Sequence, residues 1–522
     1  MSFDLSKLTL KEKIGQMIGL AFYGDTYSDE LKYQIEDIGA GLVIYFKDNC
    51  TSLERIFDLN KELNKHAKIP PFIALDQEGG MVARVTTGIT QSPGAMAISA
   101  TNDVKNAYDA AYNMGKELRM LGFNFNFAPD GDINNNPLNP VINVRSYSDK
   151  PEVVSEYVLN SVHGYTDSLM MSSIKHYPGH GDTSVDSHLG LPMVDFDKER
   201  LYNMELVPFI MAKEHNLPGI MASHVMFTKF DKDYPTTLSR KVVHDLLREE
   251  IGYNGLVVTD SLTMKAVWGR YSIEEICLNG FNSGCDILLL CGARDLKMQK
   301  EFADTAYRLA CEGKIKLENI DAAVERILHY KEMFKCGEMP NKFSDVKDKF
   351  EDKLSMAKAN EIALKSITVV KNEHNLLPIT KKDKTLVVFP ILKVVTLVDN
   401  PDNSLNSLGD FFPFEVDKHY ISINPTDEEK ASLNQKISSY DKIIYCSYNA
   451  CFNSEQASLI NSIDKDKLIV IALRTPYDLN VLDVKNYICS YEASVLSFTA
   501  LVKILTEDIK ATGILPVTLY KK

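Results

Sequence analysis

The stretch GLVIYFKDNCTSLERIFDLNKELNKHAKIPPFIALD, residues 41–76, sets two short apolar runs, GLVIYF and PFIALD, on either side of a segment with helical spacing. In that segment Leu53, Ile56, Phe57, Leu59 and Leu63 recur at three- and four-residue steps, which puts them on one side of a helix. The flanking runs are too short for helices and nearly free of polar residues, as expected of strands buried on both faces. Strand, helix, strand in this order predicts two parallel neighbours joined by a crossover.

The pattern repeats outward. GQMIGLAF precedes the unit, and FNFNFAP, SSIKHYPG, GIMASHV, GLVVTD and CDILLLCG come after it, with helical spacing in VKNAYDAAYNMGKELRML and KERLYNMELVPFIMAKEHN. Eight such runs over about 300 residues predict an α/β fold, a (β/α)8 TIM-type barrel over residues 1–336 with its active site at the C-terminal ends of the strands. A doubly wound sheet is the alternative, because strand order is not written in the periodicity. Residues 337–353, GEMPNKFSDVKDKFEDK, are polar and charge-dense and read as a linker. TLVVFPI, KIIYCSY, KLIVIALR and ILPVTL then give residues 354–522 the pattern of a smaller α/β sandwich domain.

Length and charge agree with this division. At 522 residues the chain exceeds what one core usually supports. Its formal charge of −13 disfavours nucleic acid, which needs clustered Lys and Arg, and points to a small neutral partner. Monomer and homodimer are both compatible with it. No apolar run is long enough to cross a bilayer, and the N-terminal MSFDLSKLTLKEKIGQMIGLAF intersperses charges among its apolar residues, so a cytoplasmic location and no membrane partner are expected. Nine cysteines without a CxxC pair read as free thiols in a reducing compartment.

Polar residues collect at the ends of the predicted strands: Asp76, Lys175 with His176, His224 and Asp260. The densest cluster is IKHYPGHGDTSVDSHLGLP, residues 174–192. There Asp186 and His188 stand one residue apart, so in an extended segment the carboxylate can hold one imidazole nitrogen and leave the other to transfer a proton. Asp260 is either a cap for the next helix or a working group. A metal site built from His176, His180, Asp182, Asp186 and His188 competes with the proton-transfer reading, but Pro178 and Gly179 break the helical spacing that an HxxxH pair needs. PDGDINNNP, from Pro129, has acidic residues at calcium-loop spacing without the loop's glycine and terminal glutamate, and is rejected. There is no GxGxxG or Walker sequence to support a nucleotide, so no cofactor is expected, and with the HxxxH spacing broken no metal is expected either.

KHYPGHGDTSVDSHLGLP, LDQEGGMVARV (75–85), INNNPLNPVINVRSY (133–147), NGLVVTDSLTMKA (254–266) and SGCDILLLC (283–291) resemble the motifs of glycoside hydrolase family 3, in particular its β-N-acetylglucosaminidase branch. The resemblance spans the barrel and continues more faintly through IALKSITVVKNEHNLLPI, ALRTPYDL and ATGILPVTL. It implies a retaining, exo-acting β-N-acetylhexosaminidase for muropeptide- or chitin-type oligosaccharides. Asp260 would be the nucleophile, His188 the general acid/base and Asp186 its partner, while Asp76, Arg84, Arg145, Lys175 and His176 would hold the sugar. Glu78, in the same motif, would stand behind those contacts, and His180 and Asp182 would shape the loop. Met81 departs from the family's usual Arg, which removes a polar contact near the pocket. Ser261 and Leu262 after Asp260 differ from the β-glucosidase branch, where Trp is common at the next position, and favour N-acetylhexosamines. A histidine acid/base would not repel phosphate as a carboxylate does, so a β-N-acetylglucosaminide phosphorylase is the runner-up. A metal-dependent barrel hydrolase and a catalytically silent sugar-binding protein are more distant readings.

Overall fold

The computed structural model describes residues 4–183, 190–392 and 407–520. All eight apolar runs of the N-terminal part contain strand. A six-stranded sheet has the order Leu288–Leu290, Ile18–Ala21, Leu42–Tyr45, Phe72–Leu75, Phe125–Asn126, Met171–Ser172, and a three-stranded sheet the order Leu256–Thr259, Gly219–Ala222, Ile174–Tyr177. Every pairing in both is parallel. Isolated parallel bridges join the two sheets, Val258 to Ile287 at one margin and Asp130 to Lys175 at the other. Strand order keeps to the order of the chain, without the reversal that marks a doubly wound sheet.

The crossover helix within residues 41–76 runs Leu53–His66, opened by the Ser52 hydroxyl accepting from the Arg55 N–H, and buries Ile56, Phe57, Leu59 and Leu63. One predicted helix is corrected. KERLYNMELVPFIMAKEHN forms two helices, Lys198–Asn203 and Val207–Glu214, because Pro208 fits the first turn of a helix and not its interior.

The C-terminal part holds a second six-stranded sheet, in the order Thr368–Asn372, Asn486–Cys489, Leu468–Ala472, Lys442–Ser447, Thr385–Ile391, Asp417–Ser422. The first pair is antiparallel and the rest parallel. ILPVTL, predicted as a strand, is not one. Pro516 lacks an N–H, and the segment instead runs across the N-terminal part: the Ile514 N–H donates to the Ala100 carbonyl at 2.8 Å, Ser148 Oγ to the Pro516 carbonyl at 2.6 Å and the Thr518 N–H to Asp149 Oδ2 at 2.7 Å.

Residues 337–353 lie along the N-terminal part. Val346 is buried, and Phe343 packs between Phe57 and Phe350. Apolar contact between the two parts is direct, since Met81, Met96, Ala97, Ala100 and Val144 belong to one cluster with Ile367, Val388 and Leu473. Among the described residues no helix is long and apolar enough to cross a membrane.

Candidate active site

A cavity of about 230 Å³ opens at the C-terminal ends of the N-terminal strands. Asp76, Arg84, Arg145, Lys175, His176 and Asp260 all line it, together with His180, Phe46, Phe127 and Met264. Asp186 and His188 lie outside the described residues.

One wall is a lattice of paired charges. The Lys175 ammonium donates to Asp76 Oδ1 at 3.0 Å and meets Glu78 Oε1 at 2.6 Å. Arg84 Nη2 donates to Asp76 Oδ2 at 3.2 Å, and Arg145 grips Glu78 with Nε at 3.0 Å and Nη2 at 2.8 Å. Glu78 thus stands behind the lining and joins two of its cations. Burial alone would raise both carboxyls, but Lys175 with Arg84 holds Asp76 below its ordinary range, and Arg145 with Lys175 does so for Glu78. Burial would likewise lower the Lys175 ammonium, and Glu78 and Asp76 outweigh it. Asp76, Glu78 and Lys175 are therefore all charged at neutral pH before any ligand arrives.

The loop that carries these groups is closed from within by Gln77. Its Oε1 accepts from the N–H groups of Arg84 at 2.7 Å and Val85 at 3.1 Å, its Nε2 donates to the Val85 carbonyl at 3.0 Å, and its own N–H bonds Asn126 Oδ1 at 2.9 Å. Asp76, Glu78 and Arg84 are held as one unit.

Asp132 is a site residue that the spacing of the sequence does not announce. Its Oδ2 lies 2.6 Å from His176 Nδ1, and its Oδ1 accepts from the N–H groups of His176 at 3.2 Å and His180 at 2.7 Å. Burial pushes its carboxyl up, and His176 together with the hydrogen bond from the His180 N–H outweighs that and brings it down. Asp130, two residues earlier, goes the other way: burial and the charge of Asp132 raise it well above the carboxylate range. The signal is present in PDGDINNNP, whose second acid serves the histidines while the first accepts from the Asp132 N–H at 2.8 Å. Asp130, Asp132 and His176 also form a three-ligand grouping, with one ligand atom of each within 4.8 Å of the others. The 2.6 Å contact between Asp132 and His176 commits two of its atoms to each other.

His180 is brought down to about 4, first by burial and then by His176, so it is neutral. Its Nδ1 meets Thr183 Oγ1 at 2.7 Å, and Asn139 Nδ2 donates to its carbonyl at 2.8 Å. Asp182 points to Arg200 Nη2 at 3.3 Å.

Asp260, half-buried, comes directly after the strand Leu256–Thr259. Its N–H donates to the Ala222 carbonyl at 2.8 Å, and its Oδ1 accepts from the Ser261 N–H at 2.7 Å. Ser261 Oγ in turn accepts from the Gly292 N–H at 2.9 Å, stitching the turn to the next strand end. His224 is fully buried beneath, with Nε2 at 2.7 Å from the Ser261 carbonyl and Nδ1 at 2.8 Å from Thr237 Oγ1. It supports the turn that presents Asp260.

Residues 9–330 match the glycosyl hydrolase family 3 N-terminal domain. The chain belongs to glycoside hydrolase family 3. It is accordingly a glycoside hydrolase. Among family relatives, β-hexosaminidase A of Pseudoalteromonas piscicida is 30% identical over 94% of this chain and 91% of its own length. A β-hexosaminidase of Alkalilimnicola ehrlichii is 34% identical over 53% of this chain and 80% of its own. Of solved structures, a family 3 β-N-acetylglucosaminidase from Paenibacillus sp. str. FPU-7 is 36% identical, superposes with a TM-score of 0.93, and is matched over 99% of this chain and all of its own. A β-glucoside phosphorylase shares the fold at a TM-score of 0.81 and 22% identity. Met81, the departure from the family motif, is buried in the apolar cluster between the two parts of the chain, and no polar contact is asked of it there.

Proposed function

We propose that this family 3 enzyme is a retaining, exo-acting β-N-acetylhexosaminidase that removes terminal β-linked N-acetylglucosamine from muropeptide- or chitin-type oligosaccharides. One observation carries the reading: Asp260 faces the same cavity as the charged wall of Asp76, Lys175 and Arg84. A cavity of about 230 Å³ suits one sugar ring, in keeping with an exo enzyme. Its ionised wall offers both acceptors and donors to the ring hydroxyls.

In this reading the nine strand segments close through the two isolated bridges into a (β/α)8 barrel, with the cavity at its mouth. Asp260 attacks the anomeric carbon and His188, charged with the help of Asp186, protonates the departing oxygen. The glycosyl–Asp260 ester is then cleaved by water from which His188 removes a proton. Asp132, by fixing His176 and His180, keeps the wall beside the ring in place.

The test is turnover of nitrophenyl β-glycosides of GlcNAc, GalNAc and glucose, with and without inorganic phosphate, on the full chain. Release of free N-acetylglucosamine at a rate indifferent to phosphate is expected. A preference for glucose would remove the substrate assignment. Phosphate-dependent acceleration yielding a sugar 1-phosphate would make the enzyme a phosphorylase.

A further inference from the structure

A buried carboxylate of the C-terminal part reaches into the loop that bears the charged wall. Glu492 lies just beyond the strand Asn486–Cys489 and is 3% exposed. Its Oε2 accepts from the Gly94 N–H at 2.8 Å and its Oε1 from Ser494 Oγ at 2.7 Å. Ser490 and Ser497 both donate to its carbonyl, at 3.1 and 2.9 Å, so its backbone is fixed as well.

Its carboxylate sits where two glycine backbones meet. A Cβ at Gly80 would come within 2.7 Å of Glu492 Oε2 and 2.8 Å of Gly94, and Gly80 has a φ of +56° that disfavours a side chain in any case. The Gly80 N–H donates to the Ser92 carbonyl at 2.8 Å, and the N–H groups of Glu78 and Gly79 share the Val82 carbonyl at 2.9 and 3.1 Å. The turn bearing Glu78 is therefore clasped to residues 92–94, and Glu492 closes the clasp from outside. An apolar residue at 492 would fill the space and leave the Gly94 N–H without its acceptor.

We propose that Glu492 is a positioning residue for the sugar site, holding the Gly79–Gly80 turn against Gly94 and so fixing Glu78, Asp76 and, through both, the Lys175 ammonium. The C-terminal part then contributes to sugar affinity without touching the cavity. This rests on the reading that Asp76 and Lys175 hold the sugar.

A domain-docking role alone would lower the melting temperature and leave affinity intact, so the two roles separate by experiment. In the full-length chain, well below each variant's melting temperature, KM for nitrophenyl β-N-acetylglucosaminide and the inhibition constant of N-acetylglucosamine are measured. Glu492→Asp, which withdraws the carboxylate by one methylene, and Glu492→Ala are expected to raise both constants together by about 10-fold, as small misplacements of binding groups do. Glu492→Gln, which keeps an oxygen for Gly94 and a polar contact for Ser494, is expected to stay within about 2-fold of the parent. Unchanged constants in Glu492→Asp overturn the proposal, and so does a Gln variant as impaired as the Asp variant. Lys175→Met serves as the control on the underlying reading: if it leaves the inhibition constant unmoved, the sugar clamp itself is wrong, whatever Glu492 does.

Discussion

The parallel strands of the two halves of this molecule end in polar residues that are used in opposite ways. In the N-terminal half Asp76 and Asp260, each directly after its strand, converge on a cavity with Lys175 from within the strand Ile174–Tyr177. In the C-terminal half Ser447 ends its strand by donating to Asp478 Oδ2 at 2.7 Å, while the Cys451 N–H takes Asp478 Oδ1 at 2.9 Å. Asp478 is fully buried, and burial, the largest influence on it, raises its carboxyl. The same end of a parallel strand lines a cavity in one half and is sealed against a buried carboxyl in the other. A strand end supplies polar groups, and the space above them decides whether those groups meet a ligand or one another.

The largest effect that could break this contrast is Asp260→Ala. It should lower turnover of the N-acetylglucosaminide by roughly 10⁴-fold or more with little change in melting temperature. Activity within tenfold of the parent would remove Asp260 from the chemistry.

Lys175→Met comes next. It leaves Asp76 and Glu78 without a shared cation, and breaking such a buried group costs about 3–5 kcal/mol, read as a drop in melting temperature together with a rise in KM. This variant also has a pH signature. Asp76 and Glu78 titrate below the ordinary range, so their stabilisation is complete above the unfolded-state values near 4 and is lost as pH falls. The acid limb of the melting curve should therefore be shallower in the variant than in the parent, and parallel limbs would count against the lattice.

The neighbouring acids Asp132 and Asp130 sharpen the comparison inside one loop. Asp132→Asn weakens the hold on both histidines and should reduce kcat/KM by about 10- to 100-fold, as loss of an orienting partner does at other sites. Asp130→Asn resembles the protonated carboxyl that burial already favours, and a change below about 3-fold is expected. Equal losses would mean that the two acids act as a pair. The smallest effect on catalysis belongs to Asp478→Ala, which should cost about 1–3 kcal/mol of stability by stranding its donors and leave KM where it was.

Much of the site is legible in the sequence because strand runs are conspicuous and their last residues are countable. Asp76, Lys175, His176 and Asp260 stand out in this way, and the family motifs add Arg84 and Arg145. The supporting groups do not. Asp132 lies in plain view but its spacing suggests a cation loop, since nothing in the sequence says that residues 132 and 176 become hydrogen-bond partners. Glu492 lies about four hundred residues from Gly94, and no local pattern distinguishes it from a surface glutamate. Helix and strand misreadings have a common origin: Pro208 and Pro516 each sit in an apolar run whose periodicity is convincing until the missing N–H is counted. The contrast between the halves is illegible for the same reason, because Ser447 and Asp478 look no less like a site than Asp76 and Lys175 do.

Met81 has a bearing on how separable the two parts of the chain are. At the seam it is interred with Met96, Ala97 and Val144 in a core that also includes the second sheet. Cutting the gene after the first unit would uncover that patch and leave a sticky fragment in place of a minimal enzyme. At this seam the two parts share one core, so the chain cannot be cut there without exposing apolar surface.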